Sequence, residues 1–430
     1  MNGFLRKHYH WAIVLVVLIE LAVYSGILNN IISLHLIPVT EDLGISRGSF
    51  SLAFSIRPLV GFFSTLLSGI FFAKFGYRKL ASIALLSAAA SFALLGNSQS
   101  FFMLCLASAA LGLSEGFCTT AAASRMVNTW FHSNQGLILG LVTASTGLGG
   151  SLFSIVLSNV IEAGSWRDSY YLSAILIALV AVLVFLVSRN RPGDLGRLPY
   201  GAGKGHGKKP RKVTRDHWAG YDAKDVFKKP TFYLTAVVVF CSCICTYAAY
   251  SVLVPHLQDC GIHASEAAQV QSIMLLSLAA AKFICGALSD FLGAKFINLL
   301  CMVCGGIGLV LLTMVNGISL AIAGSVIFSL GVVMTTITIP LLSSALFGYK
   351  PQGAIIGILM ALVPASSVIT CPIVNALYDR IGSYNPIFLA TAALAGIVVV
   401  LMIILFIMAG RDRKIFEAAH APMPELEEIL

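Results

Sequence analysis

Five ionisable side chains lie inside long apolar runs of this sequence, where a charge is costly unless it meets an opposite charge or water. They are Glu20, Arg57, Glu115, Arg125 and Lys282. A cation in such a run can bind an anion. A carboxyl group there can carry a proton, because burial favours its neutral form. We therefore predict that the functional site includes members of this set.

Lys282 stands in the segment LAAAKFICGALSDFLGAKF (278–296), two helical turns before Asp290. That depth is too great for its ammonium group to reach water easily by extending along the helix. Two interpretations remain open. Lys282 binds an anionic substrate, or it is a structural lysine that pairs with Glu20 or Glu115.

The two arginines differ in their place along the apolar runs. Arg57, which Pro58 follows, either attracts anions into a vestibule or reaches the surface and stabilises a kink. Arg125 lies near the end of its run, five residues before Trp130. A structural contact is the better explanation for Arg125.

The remaining candidates are two acids and two amides. Glu20 and Glu115 lie near the middle of their runs, so each either carries a coupling proton or is a neutral or lysine-paired packing residue. Asn29 and Asn30 are neighbours in the first run and can donate hydrogen bonds to an anion.

Hydropathy predicts the elements that hold these residues. Hydrophobic residues make up 58% of the chain and charged residues only 11%, against roughly 25% charged in soluble proteins. A membrane-spanning helix needs about 20 apolar residues. Continuous rather than alternating apolarity favours helices over strands. The sequence predicts an all-α membrane protein with twelve transmembrane helices, at 11–37, 49–73, 79–95, 100–130, 136–162, 169–188, 231–257, 266–291, 295–315, 319–347, 353–377 and 385–409.

The distribution of basic residues predicts the orientation of these helices. Most of the 28 Lys and Arg residues lie at the two ends, in the central loop and on the connections of the same side, while the opposite connections hold Arg47, Arg167 and Arg380. The positive-inside rule then puts both termini and the central loop in the cytoplasm. We interpret the basic loop as a solvated linker that touches anionic lipid, and not as a nucleic-acid site, because it lacks interleaved aromatic residues.

The two halves of the chain repeat each other at an offset of 217 residues. GIFFAKFGYRK (69–79) aligns with GALSDFLGAKF (286–296), and QGLILG (135–140) with QGAIIG (352–357). Repeats of six helices are typical of secondary transporters. We predict a bundle at 1–188, a cytoplasmic linker at 189–230, a second, pseudo-symmetric bundle at 231–410 and a cytoplasmic tail at 411–430.

The repeated segment resembles the cytoplasmic signature G-x-x-x-D-x-x-G-x-[RK] of the major facilitator superfamily. The resemblance implies the major facilitator fold and a charge latch that favours one conformation. The first copy has Ala73 where the signature has its acid. The predicted latch residues are Gly69, Gly76, Arg78, Gly286, Asp290, Gly293 and Lys295.

Finer motifs are similar to those of the oxalate:formate antiporter and monocarboxylate porter group. They are PVTEDLGISRGSFSLAFS (38–55), NTWFHSNQGLILG (128–140) and GSWRDSYYL (164–172). In that group, an arginine that binds the substrate carboxylate stands four residues before the first glycine of the second signature copy. That glycine is Gly286 here, so Lys282 occupies the position of the arginine. Two departures are Val363, where the oxalate exchangers have a second cation, and Leu278, where animal monocarboxylate carriers have an aspartate.

The expected function is secondary active transport of small organic anions by alternating access in the inner (plasma) membrane. Monocarboxylates are the leading substrate class. The alternatives are an exchanger for dicarboxylates such as oxalate and a transport-inactive anion receptor. The expected partners are a small carboxylate, a coupling proton or counter-anion, and membrane lipid, without nucleic acid, and the protein is expected to be a monomer. We expect neither enzymatic activity nor a cofactor or metal, because the spans hold no nucleophile beside a base and no metal-binding spacing.

Overall fold

The computed structural model describes residues 9–131, 135–196, 199–200, 221, 223–335, 338–348 and 352–419. Nearly all of these residues are helical. The N-terminal part contains α1 (Tyr9–Leu43), α2 (Arg47–Phe75), α3 (Tyr77–Gly96), α4 (Phe101–Cys118), α5 (Thr120–Trp130), α6 (Gln135–Ala163) and α7 (Trp166–Val187). The C-terminal part contains α8 (Ala223–Val226), α9 (Pro230–Tyr250), α10 (Leu253–Asp259), α11 (Ala264–Leu292), α12 (Ala294–Thr313), α13 (Ile318–Val332), α14 (Thr338–Phe347), α15 (Gln352–Ile381) and α16 (Asn385–Ala419).

The prediction of twelve membrane-spanning helices is confirmed, since twelve helices in the described residues are long and apolar enough to cross a bilayer. Three predicted spans are interrupted. The break between α4 and α5 lies at Thr119, the one between α9 and α10 at Ser251 and Val252, and α13 gives way to a 3-10 turn at Val333–Thr335. The predicted run at 79–95 is a regular helix of 20 residues.

The helices form two bundles with the same internal neighbours. In the first bundle α1 packs on α6, α2 on α4 and α3 on α7, and in the second α9 packs on α15, α11 on α13 and α12 on α16. Between the bundles, the main contacts join α6 to α11 and α2 to α15. These pairs correspond under the sequence repeat, so the fold has the predicted pseudo-symmetric, two-bundle architecture.

Glycine allows the closest helix contacts inside a bundle. A Cβ atom on Gly149 of α6 would lie 1.9 Å from the carbonyl oxygen of Ala22 in α1. On the opposite side of the first bundle, a Cβ on Gly116 of α4 would lie 2.4 Å from the backbone carbon of Ser64 in α2. Close backbone packing of this kind stabilises helix pairs in lipid, where hydrophobicity does not drive helices together.

Two opposite faces of the molecule carry the connections between spans. We name the face that carries Tyr9, Gly76, Ala223 and Ala419 the linker face. The other, which carries the turns at 44–46, 97–100, 260–263 and 382–384, is the far face. The sequence predicts that the linker face is cytoplasmic.

Candidate functional site

The two bundles are joined at the far face by Arg47, the first residue of α2. Its Nη1 and Nη2 atoms donate to Oδ2 and Oδ1 of Asp259, at the end of α10, over 2.8 and 3.0 Å. The guanidinium group also lies 4.0 Å above the ring of Tyr378 in α15. A paired, two-bond contact of this geometry is stronger and more directional than a single ionic contact.

A second contact at this face uses the backbone of α2. Asp379, near the end of α15, accepts hydrogen bonds from the backbone N–H groups of Arg47 and Gly48 over 3.1 and 2.8 Å. The first N–H groups of a helix have no partner in their own helix, and a carboxylate there is favoured by the helix dipole. The second bundle therefore caps a helix of the first. We name Arg47, Asp259 and Asp379 the far-face lock.

Asn30 joins the bundles one layer deeper. Its amide donates to the carbonyl oxygens of Gly26 and Gly150 over 2.9 and 2.8 Å and accepts from Nε2 of Gln271 in α11 over 2.7 Å. The side chain is fully buried. Asn30 is thus bonded to protein groups, whereas Asn29 is half-buried and makes no side-chain hydrogen bond to the described residues.

The contact between α6 and α11 extends from the far face to the middle of the molecule. Ser151 and Ser272 share a hydrogen bond of 2.6 Å, and a Cβ on Gly147 would lie 2.6 Å from the Cβ of Ala279. Closer to the linker face, a Cβ on Gly140 or Gly286 would meet no described atom within 4 Å. The two helices therefore separate after Ala279.

Lys282 lies one turn beyond Ala279, about 4.5 Å further along the axis of α11. Its direction around the helix falls between those of Gln271, which faces α1, and Leu275, which faces α6. It is half-buried and makes no ion pair or hydrogen bond with any residue that the structure describes. Lys282 therefore lies at the level where α6 and α11 part.

The structural alternative for Lys282 required Glu20 or Glu115 as its partner, and both acids have other partners. Oε2 of Glu20 accepts a 2.5 Å hydrogen bond from the hydroxyl of Tyr77, and only 1% of Glu20 is exposed. Oε1 of Glu115 lies 3.3 Å from Nη1 of Arg57. The structure contains no pair between Lys282 and either acid.

Arg57 and Glu115 form an incompletely bonded pair. The exposed fractions of the two side chains are 15% and 24%. Nε of Arg57 and Oε2 of Glu115 are buried atoms without a hydrogen-bond partner among the described residues. The 3.3 Å separation is long for a charge-assisted hydrogen bond, which is usually about 2.7–2.9 Å.

Arg57 also faces the second bundle. Its guanidinium group interacts electrostatically with the hydroxyl groups of Tyr247 and Tyr250 in α9 and with the thiol of Cys371 in α15. Arg57 is ten residues from the far-face end of α2, whereas Lys282 is eighteen residues from the far-face end of α11. At 1.5 Å per residue, the two cations differ in depth by roughly 12 Å along the helices. They line the region between the bundles at two levels.

The predicted latch residues lie at the linker face. Gly76 and Gly293 have positive φ angles of 76° and 83°, so glycine fits the turns that separate these helices. The Nε atom of Arg78 donates to the carbonyl oxygen of Phe185 over 2.6 Å, and the ammonium of Lys295 lies 5.8 Å above the ring of Phe406. Each base contacts its own bundle. Gly286 lies half-buried in α11, while the surroundings of Gly69 and the side chain of Asp290 are outside the described part of the structure.

Arg125 is exposed at the linker face, with its guanidinium 5.6 Å from the ring of Phe72, in agreement with a structural contact. No cluster of metal-binding side chains occurs among the described residues. The far-face lock was not predicted from the sequence, because Arg47 was assigned to a connection and Asp259 and Asp379 carry no motif. A signal that points to it is an acid at or near the end of both α10 and α15. The ends of these two helices lie at the same face as the start of α2.

Comparison with known proteins gives a family match across most of the chain. The model of the Major Facilitator Superfamily matches residues 14–358. Among curated proteins, the chain is similar to an "Oxalate:formate antiporter" of Oxalobacter formigenes, with 24% identity over 43% of this chain and 44% of the relative. It is also similar to a "Hexuronate transporter" of Bacillus subtilis, with 24% identity over 36% of this chain and 37% of the relative.

A third relative is a "Fujikurins efflux protein" of Gibberella fujikuroi, with 24% identity over 46% of this chain and 40% of the relative. The chain therefore aligns with less than half the length of each of these relatives. Among solved structures, the nucleoside transporter NupG has a TM-score of 0.73 at 12% identity and covers 94% of this chain and 99% of its own. A mutant of the same transporter has a TM-score of 0.74, also at 12% identity, and covers 92% of this chain and all of its own. At this identity the likeness concerns the fold alone.

Proposed function

Because the chain belongs to the Major Facilitator Superfamily, we propose that it is a secondary transporter that moves a small organic anion across the membrane by alternating access. The anion is a monocarboxylate. The observation that carries this proposal is Lys282, a half-buried cation without a described partner at the point where the two bundles separate. A charge in that position is best compensated by a ligand of opposite sign.

The charges of the site support a monoanion. Lys282 and Arg57 each contribute one positive charge and Glu115 one negative charge, which leaves one positive charge for a substrate to balance. The names of two relatives support a carboxylate substrate, since formate and hexuronates are monocarboxylates and oxalate is a dicarboxylate. Lysine provides the charge without the fixed two-bond fork of arginine, so carboxylates of different shapes can bind.

The far-face lock supports alternating access. It holds the bundles together at one face, while α6 and α11 separate towards the other, so the conformation is closed at the far face. We propose that the protein lies in the plasma membrane with its linker face towards the cytoplasm, because the basic residues concentrate at the linker face. In this orientation Lys282 faces the cytoplasm. A bound anion shifts the conformations only by binding one more tightly than the other.

Counterflow in liposomes tests this function. Vesicles loaded with unlabelled formate, lactate, pyruvate, acetate, oxalate or glucuronate are exposed to the labelled anion at equal pH. Wild-type protein is expected to accumulate at least one of the monocarboxylates. Lys282→Gln should lower that counterflow more than tenfold, because it removes a charged hydrogen-bond donor from a desolvated site.

Two variants sharpen the test. Lys282→Arg should retain counterflow, and Lys414→Gln, at an exposed lysine of the linker face, should leave it unchanged. Full counterflow with Lys282→Gln would contradict the role of Lys282. Counterflow of sugars or cations without any carboxylate would contradict the substrate class.

A second candidate function is exchange of dicarboxylates. The specific observation in its favour is Arg57, a second cation that faces the opposite bundle. Arg57 lies in α2, whereas the second cation of the oxalate exchangers aligns with Val363 in α15. Counterflow of oxalate in preference to every monocarboxylate would favour this candidate. Binding without counterflow would instead favour a transport-inactive receptor.

A further inference from the structure

The Arg57–Glu115 pair is partly exposed, incompletely bonded and close to side chains of the second bundle. In the proposed function it contributes only to the charge of the site. Glu115 approaches Arg57 through one oxygen at 3.3 Å. Its other oxygen, Oε2, and Nε of Arg57 are both buried without a hydrogen-bond partner in the described residues. Each unmade bond of this kind costs about 1–3 kcal/mol. The pair therefore lacks the complete bonding that stabilises a structural ion pair inside a membrane.

We propose that Arg57 is a second carboxylate subsite, which Glu115 occupies until it takes up a proton. The inference rests on the proposed function, because its ligand is the carboxylate of the transported anion. The proton binds Oε2 of Glu115, and the anion's carboxylate replaces Glu115 beside the guanidinium group. One proton and one carboxylate enter together, so the total charge of the subsite is the same before and after.

The geometry favours replacement of Glu115 by a better-fitting carboxylate. Arginine binds carboxylates best through two parallel N–H groups. Glu115 uses only Nη1 and leaves Nε without a partner. A free carboxylate that is not constrained by a helix backbone can bond Nε and Nη2, which form the parallel pair on the edge of the guanidinium group that Glu115 does not use. The incoming anion thus gains a hydrogen bond that the resident acid does not make.

The other titratable groups around the pair are phenols and thiols. They are Tyr24 of α1, Tyr247 and Tyr250 of α9, and Cys371 of α15. Phenols and thiols are ordinarily neutral below about pH 8. We therefore assign the proton of this step to the carboxylate of Glu115.

Depth and exposure distinguish Glu115 from the other buried acid. Arg57 is closer to the far face than Lys282 by roughly 12 Å, so an anion that enters from that face meets Arg57 first. The side chain of Glu115 is 24% exposed, so it is not sealed inside the first bundle. Glu20 is 1% exposed and bonded to Tyr77 inside the first bundle. The position of Glu115 fits a coupling group, and that of Glu20 fits a packing group.

The test compares counterflow with gradient-driven uptake in the same liposomes, using labelled lactate and acetate. Wild-type protein should accumulate the anion up to about tenfold per pH unit when the proton gradient points inwards, as coupling of one proton to one anion allows. Glu115→Gln should lose the gradient-driven accumulation, because glutamine carries no exchangeable proton, and the counterflow that it supports should no longer depend on pH. Glu20→Gln is the matched control, since glutamine keeps an acceptor for Tyr77, and it should retain both activities.

A second measurement does not depend on a variant. Detergent-solubilised wild-type protein should take up close to one proton per lactate bound between pH 5 and 7, measured in weakly buffered solution. Gradient-driven accumulation by Glu115→Gln at the wild-type level, or lactate binding without proton uptake, would overturn the inference while counterflow still supports carboxylate transport. Absence of all carboxylate counterflow would overturn the proposed function and the inference with it.

Discussion

Arg47 and Asp259 form a two-bond ion pair, 2.8 and 3.0 Å long, that connects the first bundle to the second at the far face. The exposed fractions of the two side chains are 16% and 26%, so water screens this pair only in part. Tyr384 adds a hydroxyl group 3.3 Å from Nη1 of Arg47. All of these contacts must break before the far face can open, and their free energy therefore contributes to the balance between conformations.

Arg47→Gln is expected to shift the protein towards a conformation open at the far face. Loss of a partly buried, two-bond ion pair should weaken closure by about 1–2 kcal/mol, which changes the ratio of conformations by roughly fivefold to thirtyfold. The measurement is the distance distribution between spin labels attached at exposed positions of the turns at 44–46 and 260–263. A longer distance should gain population in the variant.

The matched control for this experiment is Arg167→Gln. Arg167 pairs with Asp42 over 2.7 Å at the same face, but both residues belong to the first bundle. Its loss should leave the distance distribution unchanged. Equal shifts in the two variants would mean that general loss of charge, and not the link between bundles, sets the distribution.

Asn30→Ala is expected to act on conformation and stability and not directly on anion affinity. The substitution leaves Gln271 and the carbonyl oxygens of Gly26 and Gly150 without the hydrogen bonds that Asn30 supplies. Unpaired buried groups cost about 1–3 kcal/mol each. The midpoint of thermal unfolding should fall.

Gln271→Ala provides the comparison for Asn30→Ala. If the two residues act as a pair, the double variant should lose less stability than the sum of the single variants. The anion dissociation constant, measured under conditions where both proteins are folded, should change less than threefold. A loss of affinity greater than tenfold with unchanged stability would instead assign Asn30 to the substrate site.

Sequence alone predicts the fold here because span number and span type depend on local composition. Apolar runs of sufficient length give the twelve helices, and the 217-residue offset gives the two bundles. Breaks such as the one at Thr119 are less visible, since a break changes backbone direction without changing hydropathy. The superfamily resemblance is confirmed by the family match.

The pairing of side chains depends on how helices rotate and cross, and a single sequence does not contain that information directly. Lys282 could be singled out because its charge is exceptional in an apolar run. The partner of Glu115 could not, since the sequence analysis considered only a pairing with Lys282, whereas the structure pairs Glu115 with Arg57. Arg47 illustrates the same difficulty, because a basic residue at the start of a span predicts orientation and gives no sign of a partner 212 residues away.

Gly61→Ala is expected to disturb the Arg57–Glu115 pair without removing a charge. A Cβ on Gly61 would lie 2.8 Å from Oε2 of Glu115 and 3.2 Å from its carboxyl carbon. The closest atom lies at the far end of a flexible side chain, and the Cβ of Glu115, at 3.3 Å, needs only a small shift, so the helices can stay packed while the carboxylate moves. A displaced carboxylate screens Arg57 less. Lactate binding at pH 7 should therefore tighten by about threefold, the scale of a weak ion pair, and its dependence on pH should become flatter.

Gly140→Ala, which meets no described atom within 4 Å, is the control. Weaker lactate binding, or a steeper pH dependence, in Gly61→Ala would show that Glu115 assists the anion and does not compete with it.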